Sequence, residues 1–261
     1  MKKKYLFVLN WKMYFTFEES IDFATQYYDE LVQLVIDLDR EKHNLIICPS
    51  MIVLSTLSQI FKTTNMAFGA QDCSDHSKGA FTGQVSAESL KQVGCEYCII
   101  GHSEQRLLSG QTDSMIAHKF AQLIKENITP IICIGESKDQ FESGRTIDII
   151  SQQLDTILDS INAKQYLDQN LSVCIAYEPV WSIGTGDVPS KDHLENIFSW
   201  ISVKVKKIAP YIDWKLIYGG SVVSKNIVSI AKNEFIDGFL IGGASLDFQE
   251  LKKIVHCTLI K

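Results

Sequence analysis

Val173-Cys174-Ile175-Ala176-Tyr177-Glu178-Pro179 sets five apolar residues in a row before a carboxylate and a proline. A run apolar at every position has no wet face, so it reads as a parallel strand buried on both sides. Proline pushes the residue before it into extended backbone, which keeps Glu178 at the end of the strand rather than in a helix. Seven further runs have the same character: Tyr5–Asn10, Leu45–Cys48, Met66–Gln71, Tyr97–Ile100, Ile131–Ile134, Lys215–Tyr218 and Gly238–Ile241. Between them, apolar residues recur at helical spacing. Ile21, Ala24, Tyr28, Leu31 and Val35 form one stripe; Ile147, Ile150, Leu154, Ile157 and Ile161 form a second; Leu194, Ile197, Ile201 and Val205 form a third. Strands alternating with helices through the whole chain define a parallel α/β architecture.

Such a sheet is either open or closed. An open, doubly wound sheet usually has a glycine-rich turn after its first strand, and here that turn reads Asn10-Trp11-Lys12-Met13-Tyr14. Neither GxGxxG nor GxxxxGK[ST] occurs, so a dinucleotide or P-loop site has no support. Eight strand–helix units ending near the C-terminus fit a closed (β/α)8 barrel, and no linker or low-complexity tract divides residues 1–261. The expectation is α/β, one TIM-barrel catalytic domain.

With 25 basic against 31 acidic residues the net charge is −6, and the isoelectric point of about 5.5 disfavours a nucleic-acid partner, which needs a basic face. A local basic pocket for a small anion stays open. No apolar run approaches the roughly 18 residues of a membrane helix, and the apolar stretch after Lys2, Lys3 and Lys4 is too short for a signal peptide. The expected location is the cytoplasm. Seven cysteines cannot all pair within the chain. Cys48, Cys98, Cys133 and Cys174 sit in strand-like runs as small hydrophobes. Cys95 and Cys98 have redox spacing without its context, and no second close Cys or His pair completes a zinc site.

A barrel places chemistry at the C-terminal ends of its strands. Asn10 and Lys12 follow the first run, Gln71 the third, His102 and Glu104 the fourth, and Glu178 ends the sixth. Lys12 fits either an anion holder or a solvated lysine. His102, at an expected helix start, fits a neutral hydrogen-bond donor or a structurally satisfied histidine. Glu178 fits a proton-transfer base, which desolvation under a lid would strengthen, or a paired surface carboxylate. The segment after it, Pro179-Val180-Trp181-Ser182-Ile183-Gly184-Thr185-Gly186-Asp187-Val188-Pro189, joins a bulky anchor to two permissive glycines, the composition of a hinged lid. Gly219-Gly220-Ser221 and Gly242-Gly243 follow the last two strands; read as openings of helices, their amides suit a phosphate, or they are tight turns.

Together these segments resemble the triosephosphate isomerase family across nearly the whole chain. Asn10-Trp11-Lys12-Met13, Gly69-Ala70-Gln71-Asp72, Gly79-Ala80-Phe81-Thr82-Gly83, Gly101-His102-Ser103-Glu104, Ala176 to Gly186, Tyr218 to Val222 and Gly242 to Leu246 occur in the family's order. The resemblance implies interconversion of dihydroxyacetone phosphate and D-glyceraldehyde 3-phosphate through an enediolate, in glycolysis and gluconeogenesis, without cofactor or metal. It implies that Glu178 moves the proton, neutral His102 polarises the carbonyl, Lys12 neutralises charge and Asn10 binds the oxygen end. Glu104 would hold Lys12, and Gly184, Ser221, Gly242 and Gly243 would bind the phosphate. It also implies a homodimer, with Thr82 reaching across from a long loop between Asp72 and Gln84.

The chain departs from the family at four places. Gln84 and Gln105 stand where a Glu–Arg pair usually spans the interface, and an amide contact is expected to replace it without stranding a charge. Tyr14 replaces a common Asn near the expected interface. Pro189 lacks the N–H that takes the Tyr218 hydroxyl in relatives, so a stiffer hinge is expected, with Ser221 carrying more of the latch. Another phosphosugar enzyme would share the glycine site without needing His102, Glu178 and the lid together. A degenerate barrel used only for binding would be free to lose Lys12, His102 or Glu178, and none is lost.

Overall fold

In a computed structural model, which describes residues 3, 5–39, 44–160 and 171–259, parallel strands close into an eight-membered barrel. They are β1 (Leu6–Asn10), β2 (Leu45–Cys48), β3 (Ala67–Ala70), β4 (Tyr97–Ile100), β5 (Thr129–Ile134), β6 (Ser172–Tyr177), β7 (Asp213–Tyr218) and β8 (Gly238–Ile241). Each pairs with its neighbours in chain order. β8 closes on β1, with Leu6 opposite Gly238 and Leu9 opposite Ile241.

The two-residue period of a strand sorts these side chains. Leu6, Val8, Ile46, Cys48, Ile99, Ile131, Cys133, Cys174, Ala176, Ile217 and Leu240 fill the barrel. Phe7, Leu9, Leu45, Ile47, Ile132, Ile175 and Phe239 pack outward against the helices. Both faces are dry, and for that reason the runs carry no polar alternation. All the strands end at one mouth, and there Asn10, His102, Glu178, Ser221 and Gly242 meet.

The elements differ from the sequence reading in a few places. β5 begins two residues early because Pro130, which reads as a breaker, sits near the strand start opposite Cys98. The first apolar stripe spans two helices, Phe17–Gln26 and Tyr28–Asp39. The backbone leaves helical geometry at Tyr27 (φ −109°, ψ 21°), whose ring stacks on Phe248 at 4.4 Å. In the helix Thr146–Ser160, Ile150, Leu154 and Ile157 are buried, but Ile147 in the first turn is exposed; Ile161 lies outside the described residues. No helix among the described residues is long and apolar enough to cross a membrane.

Candidate active site

Lys12 adopts φ +51°, a left-handed conformation that costs a non-glycine residue about 1–3 kcal/mol unless its surroundings hold it. Two neighbours do so. The Lys12 N–H donates to Asn10 Oδ1 at 3.0 Å. Gln71 Nε2 donates to the carbonyls of Lys12 at 2.8 Å and Cys48 at 3.0 Å. The ammonium is not freely solvated: its side chain is 14% exposed, and Nζ lies 2.6 Å from Glu104 Oε1. Asn10 is buried, and with Oδ1 engaged its NH2 is the donor left for a ligand.

His102 caps the helix Ser103–Leu108, its Nδ1 accepting the Glu104 N–H at 3.2 Å. An accepting Nδ1 carries no proton, so the proton of the neutral ring sits on Nε2. That nitrogen lies 3.4 Å from Glu178 Oε1. Glu178 is 2% exposed. Its N–H continues the ladder to Ile134 O at 2.7 Å, and Oε2 accepts the Ser103 N–H at 3.2 Å. Oε1 has no hydrogen-bond partner among the described residues. A buried carboxylate oxygen left open is costly unless something uses it. Two glycines seat this residue: a Cβ on Gly135 would lie 1.8 Å from Glu178 O, and one on Gly219 would lie 2.8 Å from its Cγ.

The segment Pro179 to Pro189 arches beside these groups, with a single 3-10 turn over Val180–Ser182. Trp181 anchors it, stacking on Phe141 at 4.6 Å and donating from Nε1 to Glu136 Oε1 at 3.0 Å. Glu136 is fully buried and also takes the Tyr177 hydroxyl. Desolvation pushes its carboxyl up, opposed by the bonds from Trp181 and Tyr177. Gly184 and Gly186 hold φ +72° and +85°, where side chains are strained. The Tyr218 hydroxyl, pushed up to about 12 by burial, meets Ser182 Oγ at 3.2 Å.

Asn10, Lys12, His102, Glu178, Gly184, Ser221, Gly242 and Gly243 all line one cavity of about 570 Å³, with Tyr14 also on its wall. The last two loops differ from expectation. Ser221 precedes the short helix Ile227–Ile230 by six residues instead of opening it, because Asn226 folds back to bond Val223 N–H and Ser221 O. Gly243 opens a single 3-10 turn, Gly243–Ser245. The amides there are presented by folded loops rather than by long helices.

The residues expected at an interface are on the surface. Thr82 and Gln84 are exposed, and Tyr14 is 63% exposed. Within the chain, Gln84 Oε1 accepts from Ser74 Oγ at 2.5 Å and Gln105 Oε1 from Gln111 Nε2 at 3.2 Å. All seven cysteines are free. Burial pushes the Cys95 thiol up to about 12 and Cys98 well above its usual range, so neither is a nucleophile at neutral pH. Among the described residues no group of three or more His, Cys, Asp or Glu is placed to hold a metal.

Sequence reasoning missed Glu136 and Gly135, and named Gln71 and Ser182 without their roles. Gln71 was visible as a polar strand end without a role. Glu136 follows β5, and the strand-end rule extended to β5 would have found it. Gly135 left no local signal, and Ser182, read only as part of the lid, matters through its contacts with Tyr218 and Ser221.

Comparison with known proteins agrees with this geometry. The family model described as triosephosphate isomerase matches residues 5–258. The triosephosphate isomerase of Shewanella sp. (strain MR-4) is 34% identical over 259 residues, covering 96% of this chain and 95% of that protein. That of Shewanella loihica is 35% identical over the same shares. Match and mouth geometry together place the chain in the triosephosphate isomerase family.

Proposed function

We propose that this chain interconverts dihydroxyacetone phosphate and D-glyceraldehyde 3-phosphate without a cofactor, with Glu178 and His102 handling the protons. The observation that carries the reading is the open Glu178 Oε1, 3.4 Å from His102 Nε2, in the cavity shared with Lys12. Glu178 takes the proton from the carbon next to the carbonyl. The C–H pair becomes the C=C bond, while the carbonyl π pair moves onto oxygen. His102 Nε2–H hydrogen-bonds that oxygen and moves a proton between the two oxygens. Glu178 then returns a proton to the neighbouring carbon. A carboxylate base working beside a neutral imidazole is the pattern already known for this family.

Lys12 offsets the developing negative charge, held in place by Glu104, and Asn10 donates to the substrate's oxygen end. Amides at Gly184, Ser221, Gly242 and Gly243 take the phosphate. The lid from Pro179 to Pro189 excludes water from an enediolate that would otherwise eliminate phosphate. The working unit is a homodimer in the cytoplasm, with Thr82, Gln84, Gln105 and Tyr14 at its interface. A coupled isomerase assay of wild type and Glu178→Gln tests the reading. Turnover should fall by orders of magnitude in a folded variant; equal turnover would remove Glu178 from the mechanism.

A further inference from the structure

Ser182 is fully buried within the lid, and its hydroxyl uses its entire bonding capacity. Oγ–H donates to the Asp187 carbonyl at 2.6 Å, tying the start of the lid to its end. A hydroxyl has one proton, so the other two contacts must be accepted. They come from the Tyr218 hydroxyl at 3.2 Å and the Ser221 N–H at 3.3 Å. Tyr218 ends β7, and Ser221 stands in the loop after it. Gly220 between them has no room for a side chain: a Cβ there would lie 2.2 Å from the Tyr218 oxygen and 2.8 Å from Ser182 Oγ. Pro189, at the far end of the lid, has no N–H to offer Tyr218.

We infer that the Ser182 hydroxyl is a resting latch that competes with the substrate's phosphate for the Ser221 amide. This rests on the proposed phosphate seat. One N–H serves one acceptor well, so a phosphate oxygen arriving at Ser221 displaces Ser182 Oγ. The bond given up is the longest of the three, and Ser182 then keeps only the Tyr218 hydroxyl as its tie to β7, which makes lid movement over the ligand easier. Ser182 acts through Ser221 and the lid, and is a positioning residue rather than a catalytic one.

The test is calorimetric titration of inorganic phosphate into the full-length protein, wild type and Ser182→Ala, with thermal melting as a folding check. Removing the competitor should tighten phosphate binding about two- to tenfold, the worth of one neutral hydrogen bond. KM for the triose phosphate should fall in the same direction, a shift that simple loss of stability does not produce. Should Ser182→Ala misfold, Ser182→Cys carries the same expectation, since sulfur fills the site and accepts hydrogen bonds weakly. Unchanged or weaker binding in a folded variant overturns the latch and leaves the phosphate seat standing. Absence of phosphate binding by the wild type overturns the seat itself, and the latch with it.

Discussion

Replacing Gly219 with alanine places one methyl group against the proposed base. The new Cβ would lie 2.8 Å from Glu178 Cγ and 3.4 Å from its Oε1. Carbon atoms settle at about 3.5–4.0 Å, so Glu178 must retreat by at least about 0.7 Å. The next neighbour, the Tyr177 carbonyl, sits at an ordinary 3.5 Å, and Gly219 is outside the left-handed region. The strain therefore falls on the Glu178 side chain. Misplacing a reacting group by 1 Å costs about a hundredfold, so a shift of this size should lower kcat about ten- to a hundredfold. Overpacking costs about 1–3 kcal/mol, and the lower end is expected because the displaced side chain borders a cavity. Steady-state kinetics and thermal melts on the same preparation separate the two effects. Gly135→Ala supplies the contrast: its Cβ would meet the Glu178 backbone oxygen at 1.8 Å, so stability should fall along with activity. A folded Gly219→Ala protein with kcat within twofold of wild type would refute the steric argument.

Other perturbations probe separate parts of the mechanism and fold. Gln71→Leu removes the donors to the Lys12 and Cys48 carbonyls, so KM should rise several-fold and stability fall by about 1–3 kcal/mol, read from kinetics and urea denaturation. His193 bonds the Tyr177 hydroxyl at 2.9 Å, and burial holds its pKa below the ordinary 6.5. Between its folded value and 6.5 the unfolded chain binds more protons, so stability is lost as pH falls below 6.5; His193→Gln should flatten that slope in melts from pH 7.5 to 5. Light scattering at micromolar concentration should give the mass of a dimer despite Gln84 and Gln105, and a mass of one chain would defeat the homodimer.

The barrel was legible because burial on both faces of a strand erases polar alternation, and eight such runs survive in the sequence. Asn10, Lys12, His102 and Glu178 were legible for a related reason: a polar residue closing an apolar run is conspicuous. What escaped depends on distance in space rather than in sequence. Gly135 looks like any turn glycine until the Glu178 carbonyl is found against it. The left-handed backbone of Lys12 has no residue-type signature, and its support by Gln71 bridges β1, β2 and β3. The helix break at Tyr27 follows from no proline or glycine; it coincides with a ring stacked on a helix more than two hundred residues away. Pro189 showed that one hydrogen bond could not form, but its sequence position could not show that the Tyr218 hydroxyl meets Ser182 Oγ.

The central claim is that one carboxylate carries a proton between adjacent carbons through an enediolate. Running the isomerisation in deuterium oxide and reading the product by nuclear magnetic resonance tests it directly. A proton resting on Glu178 exchanges with solvent, so the product should carry deuterium at the carbon that was reprotonated, and Glu178→Gln should abolish both turnover and label. Product formed by a folded Glu178→Gln protein at the wild-type rate and without deuterium would mean that hydrogen passes between the carbons without this carboxylate, and would contradict the account.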